Sequence, residues 1–350
     1  MRPTVQLVVS SALTVFATIG LLWLSLGWSS IRAHQTNESL PLASTKYAPG
    51  DEIDAYTAFL MSGGPPPDGI PSIDEPAFVS AAEARLDAGE PVIGLHNEGE
   101  ARAYPHRIMV HHEIVNDRVG GLNLAVTYCP LTATAQGFKR GDTTLGVSGQ
   151  LLNSNLVMFD RSSQSRFSQI NATGLTGSHR GRTLDEVPLV WTTWERWRAV
   201  HPNTRVLSER TGHLRNYARD PYGSYNPPSG YYAQNQTIFP LMHESNRHHK
   251  KAMVVGARTA TRSVSFVMSD LARDRVQATA NFVAVYDPRL DTGYIYVRER
   301  GAVLPVAKGD RKYELQGSVH DADALPLTKP VAVEAFHFAW HAFYPKSESP

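Results

Sequence analysis

The first pattern in the chain is an unbroken apolar one. Residues 4–31, TVQLVVSSALTVFATIGLLWLSLGWSSI, contain no charged side chain, and a helix of roughly 20 apolar residues is enough to cross a bilayer. Residues 1–32 are therefore expected to form an N-terminal membrane anchor, with a cleaved signal sequence as the alternative. The run is longer than the ~7–15 residues of a signal-peptide core, and SSIRAHQ is a poor cleavage site. Arg2 and Arg32 flank it on both sides, so charge gives only a weak orientation signal. Residues 33–52 are polar and read as a linker. The expected arrangement is a membrane-anchored protein whose main domain is periplasmic or extracellular; cleavage would instead give a secreted protein.

Beyond the linker the pattern turns to loops and strands. SGGPPPDGIPSID at 62–74 is too rich in Gly and Pro for a helix or a central strand. PAFVSAAEARLDAG predicts a short amphipathic helix over 76–87, stopped near Gly89. PVIGLHN (91–97), ARAYPHRIMVHHEIV (101–115) and LNLAVTYC (122–129) are rich in β-branched and aromatic residues, with turn-like NEGE and NDRVGG between them. They predict an antiparallel meander with Cys129 at the end of its third strand. Within WTTWERWRAVHPNTRVL (191–207), Trp194 and Trp197 fit one face of a helix that Pro202 stops. Residues 217–236 read as a long irregular loop, and AFHFAWHAFYP (335–345) as a C-terminal helix or buried aromatic tail.

The strand pattern then recurs. Gly94 falls opposite Gly256, Asp117-Arg118-Val119 opposite Asp274-Arg275-Val276, and Tyr128-Cys129-Pro130 opposite Tyr286-Asp287-Pro288. Linked landmarks in one order point to an internal duplication. The expected fold is a β-rich α+β one: two related antiparallel halves, 53–215 and 216–350, with short peripheral helices. The second half would carry the aromatic tail. An unpaired buried carboxylate is costly, so the Cys129/Asp287 exchange suggests that these positions are exposed at a shared cleft.

Charge narrows the partners. Lys and Arg number 34 against 33 Asp and Glu, so the chain lacks the basic excess of a general nucleic-acid binder. Its single cysteine excludes an intrachain disulfide. Protein partners are not specified by any motif.

Candidate chemistry gathers around that cysteine. If 101–115 is a strand, His106 and His112 share a side and His111 points away. One reading is a thiolate enzyme in which His112 activates Cys129 and Asp117 orients the imidazole. A second is a metal site of His106, His112 and Cys129, whose soft thiolate and imidazoles suit copper or zinc. A third cluster lies in GVSGQLLNSNLVMFDRSSQSRFSQI at 146–170. There Ser148, Asn153, Asp160, Arg161 and Gln169 are candidates to bind a small-molecule substrate, with Arg161 clamping an anion. The simpler alternative is a polar network that braces loops.

Taken together, GGPPPDGIPSID (63–74), HEIVND (112–117), TYCPL (127–131), GVSG (146–149), NLVMFDR (155–161) and AWHAFYP (339–345) make the chain resemble the DUF3179 family. The resemblance covers most of the chain after the anchor. It implies a common extracytoplasmic fold and imports no reaction. It places the family's HE and ND on His112-Glu113 and Asn116-Asp117, its cysteine on Cys129 and its DR on Asp160-Arg161. Many relatives resemble CPLC where this chain has CPLT, so Thr132 removes a dithiol mechanism and leaves Cys129 alone. The expected function is a metal-dependent or redox enzyme with a single-cysteine Cys/His site. The alternatives are a non-catalytic metal or small-ligand binding module, and a structural or protein-interaction domain.

Overall fold

Runs of β-branched and aromatic residues fold here into antiparallel sheets joined by tight turns, in a computed structural model with 39% strand and 12% helix. The structure describes residues 40–44, 47 and 50–350. The candidate anchor at 1–32 and part of the linker lie outside the described residues. Among the described residues no helix is long and apolar enough to cross a membrane. Leu40–Pro350 pack as one unit.

The first repeat runs β1 (Pro91–Asn97), β2 (Glu100–Pro105), α1 (His106–His112), β3 (Ile114–Val119), β4 (Leu122–Cys129) and β5 (Thr134–Lys139), then β6 (Val190–Thr193) and α2 (Trp194–Val200). The second runs β7 (Met253–Arg258), β8 (Ser263–Val267), α3 (Met268–Asp274), β9 (Val276–Ala278), β10 (Phe282–Asp287) and β11 (Thr292–Val297), then β12 (Ala332–Phe336) and α4 (His337–Phe343). Strand orders correspond: β6-β1-β2 matches β12-β7-β8, and β3-β4-β5 matches β9-β10-β11.

Register makes the equivalence residue-specific. Gly94 pairs with Ala103 and Val190, and Gly256 pairs with Ser265 and Val333. Each glycine lies under an indole, Trp197 in one repeat and Trp340 in the other, where a Cβ would collide with the ring. Both indole N–H groups donate to a hydroxyl seven residues on: Trp197 to Thr204 at 3.0 Å and Trp340 to Ser347 at 2.9 Å. The Tyr128 and Tyr286 amides likewise donate to the residue that ends the preceding helix, Glu113 and Arg275. Tyr-Cys-Pro and Tyr-Asp-Pro are therefore equivalent, as the sequence suggests.

Three expectations are corrected. The two Asp-Arg-Val triplets are not equivalent, because Asp274-Arg275-Val276 aligns with His112-Glu113-Ile114. The helix expected over 76–87 is absent; Phe78–Ser80 form an edge strand on Arg205–Leu207, and Ser80 is held in a turn by the Glu83 carboxylate at 2.7 Å. The strand expected over 101–115 breaks at Pro105 into helix α1. Five of its seven residues are buried, His106, Ile108, Met109, Val110 and His112.

Each repeat carries an insertion. The first holds a sheet ordered Met61–Ser62, Leu145–Leu152, Asn155–Asp160, Arg166–Ser168, Thr173–Thr176. The second holds the hairpins of Val306–Lys308, Lys312–Leu315 and Ser318–Asp321. Arg258 and Glu186, both almost fully buried, join strands of the two repeats through an ion pair of 2.9 Å.

Candidate functional site

Helix α1 ends abruptly, and that ending positions the site. Glu113 caps it in a left-handed conformation (φ 59°), donating its amide to Met109 O at 2.7 Å. A non-glycine residue in this region is strained and is found disproportionately at functional sites. The turn aims the Glu113 side chain into a cavity of about 270 Å³. Glu113 is 8% exposed, and its carboxyl has no hydrogen-bond partner among the described residues. Burial alone pushes it up to about 8.

The walls come from separate stretches of sequence. Gly63, Pro65 and Ile70 come from GGPPPDGIPSID, Glu113 from HEIVND, Leu131 from TYCPL, Val147 and Gly149 from GVSG, and Leu156 from NLVMFDR. Gln150, Leu151, Tyr222, Ile238 and Phe239 also line it, Gln150 being its second polar side chain. Gly149 has φ +74°, and a Cβ there would strike the Pro65 carbonyl, so glycine lets the Pro-rich loop close over the strand. That loop is tied down by Gly63 N to Gly149 O at 2.8 Å and Asp68 N to Val147 O at 2.9 Å.

The predicted site residues occupy other places. Arg161 is not open to an anion: its guanidinium bonds Asp68 at 2.8 Å and Asp74 at 3.1 Å, fixing the Pro-rich loop. Ser148 donates to Val157 O, and Asn153 bridges Ala342 O at 3.1 Å and Met242 N at 2.8 Å. Burial opposes ionisation of Asp160, but hydrogen bonds from Ser163, Thr143 and Ser162 outweigh it and hold the carboxyl below its usual range. Gln169 is enclosed by Asn155 and Thr127, both at 2.8 Å. The side chains of this cluster are engaged within the protein, the loop-bracing alternative, and none lines the cavity.

The Cys/His set does not assemble either, because 106–112 is a helix and its two terminal histidines diverge. His106 packs between Trp191 and Tyr128, with ring centroids at 4.0 and 4.8 Å, and burial lowers it to about 3. His112 donates from Nδ1 to Pro71 O at 2.7 Å, so its Nε2 accepts the Tyr217 hydroxyl at 2.7 Å. Burial lowers it to about 4. Asp117 accepts Tyr104 OH at 2.7 Å, near the far end of the β3–β4 pair from Cys129, and does not orient His112. Among the described residues no group of three or more His, Cys, Asp or Glu could hold a metal ion. Copper and zinc thus find no ligand set at His106, His112 and Cys129.

Cys129 is 1% exposed, and its Sγ lies 3.8 Å from Ser154 O. Burial, then the Glu113 charge, push the thiol up to about 12. Thr132, buried beside it, accepts Asn155 Nδ2 at 2.9 Å. Asp287 does not share a cleft with Cys129; it is buried in its own repeat and paired with Arg289 at 2.6 Å. The residues outside the candidate sets read from sequence are Glu113, which on a strand would point away from His112, and Tyr222. Tyr222 lines the same cavity as Glu113.

Fold and site together define a duplicated β-rich domain with a largely apolar pocket around one buried carboxyl of its first repeat. The chain belongs to the DUF3179 family: the family described as "Protein of unknown function (DUF3179)" matches residues 67–347. No curated protein and no solved structure matches the chain.

Proposed function

We propose that this protein binds a small, largely apolar molecule in the Glu113 pocket, with the carboxyl hydrogen-bonded to a polar head such as a carbonyl. The carrying observation is convergence: five of the sequence motifs that mark the chain each supply wall residues to one cavity that holds a buried carboxyl without a hydrogen-bond partner among the described residues. A cavity of about 150 Å³ already admits a benzene-sized ligand, so the volume here suits a somewhat larger one. With the carboxyl protonated at neutral pH, it donates to the ligand. A metal-dependent or redox reaction at Cys129 has less support, since the thiol and the two imidazoles occupy separate surroundings. We further place the domain outside the cytoplasm, held by residues 4–31, on the strength of that uncharged run.

The test is a fluorine-NMR binding screen that pairs cyclic ketones with the corresponding hydrocarbons. Wild-type protein is expected to prefer the ketone by about fivefold, the worth of one hydrogen bond. Glu113→Leu should abolish that preference and keep hydrocarbon binding. If neither class binds, or if the preference survives in Glu113→Leu, the reading fails.

A further inference from the structure

Two positions of the first repeat, Glu113 in the pocket wall and Cys129 at the end of β4, have been rebuilt in the second. Glu113 corresponds to Arg275, and Cys129 to Asp287. Arg275 caps α3 with φ 68°, as Glu113 caps α1. Its guanidinium reaches Asp310 O, at the tip of the hairpin between Val306–Lys308 and Lys312–Leu315. That contact fixes the tip carrying Arg311. Asp287 grips Arg289 through Nε at 3.0 Å and Nη2 at 2.6 Å, leaving Nη1 free of the pair. Arg196, on α2, donates from Nη1 to Pro288 O.

The three arginines line an open cleft of about 640 Å³ between α2 of the first repeat and the β10–β11 turn of the second. Glu195 is the one carboxylate among the lining residues. Two further carboxylates act on Arg289, Asp323 and Asp321, and Asp321 is taken up by Lys312 at 2.8 Å. Arg196 and Arg289 are held in orientation by their bonds to Pro288 O and Asp287, and guanidinium forks match the paired oxygens of phosphate and carboxylate.

We propose that this cleft is a second ligand site, which takes a molecule bearing two or more phosphate or carboxylate groups on Arg196, Arg289 and Arg311. It is independent of the Glu113 pocket. Glu113 and its counterpart Arg275 have thus diverged, one into the wall of an apolar pocket and the other into a brace for the tip of an anion-binding cleft.

Titration calorimetry of the full chain at low salt tests this, with inorganic pyrophosphate as the phosphate probe and citrate as the carboxylate probe. At least one should bind saturably, and the stronger of the two identifies the head group. Arg311→Ala removes an exposed side chain, leaves the Asp287–Arg289 pair intact, and should weaken binding about tenfold, the worth of a charge-assisted hydrogen bond. Arg289→Lys keeps the charge beside Asp287 but loses the fork, and should weaken it similarly. Failure of both probes to bind wild-type protein, or unchanged affinity in Arg311→Ala, overturns the proposal.

Discussion

Trp197→Ala and Trp340→Ala are each expected to destabilise the fold by about 3–5 kcal/mol, the usual cost of emptying a large aromatic site in a core. Both rings are almost fully buried. Each lies against a glycine that can carry no side chain, and each anchors its N–H on a hydroxyl, Thr204 or Ser347. Alanine therefore leaves a void that the rigid strand beneath cannot fill, together with an orphaned hydroxyl. Urea denaturation at neutral pH measures the loss. Because the contacts are equivalent, the two variants should lose similar amounts; a loss under about 1 kcal/mol in either would mean that its ring is not a structural keystone of that repeat.

The duplication was legible because its landmarks are physically constrained. Gly94 and Gly256 are fixed by the indoles above them, and the Tyr-x-Pro signals by the bond from tyrosine to the helix end. The Asp-Arg-Val triplets misled because no such constraint holds them in one place. Helix α1 was hidden by its brevity: HRIMVHH is seven residues, mostly buried and bounded by strands, where period alone cannot separate helix from strand. That one misreading decided the rest. On a strand, His106 and His112 share a face and Glu113 turns away. On a helix the histidines part, and the strained cap turns Glu113 into the pocket. The polar cluster at 146–170 was visible as residue types, but sequence does not show that Arg161 already holds Asp68 and Asp74.

Glu113 should also leave a large signature in the pH dependence of stability. In the unfolded chain its carboxyl ionises near 4.5, whereas burial keeps it protonated to about 8 in the native state. Between those values the native protein binds the extra proton. The contribution is fully present below 4.5 and is lost as pH rises through 8, at about 1.4 kcal/mol per pH unit. Glu334, also raised to about 8 by burial, adds a slope of the same sign. His106 and His112, held low by burial, act oppositely and only on the acid side of 6.5. Glu113→Gln removes that carboxyl, and with it an influence on Cys129 and Tyr222, both of which ordinarily ionise above pH 8. The variant and wild type should be similar in stability near pH 5, and by about pH 8 the variant should be more stable by several kcal/mol. Parallel stability curves for the two proteins would contradict this.

The most direct measurement is carbon-13 NMR of the Glu113 side-chain carboxyl, assigned by its loss in Glu113→Gln and titrated with and without a bound cyclic ketone. The account predicts a midpoint near 8 in the free protein, moved higher by the ligand, because a carbonyl hydrogen-bonded to the carboxyl stabilises its protonated form. A midpoint in the ordinary carboxylate range near 4.5, unmoved by any fragment, would show a solvated glutamate and no ligand pocket.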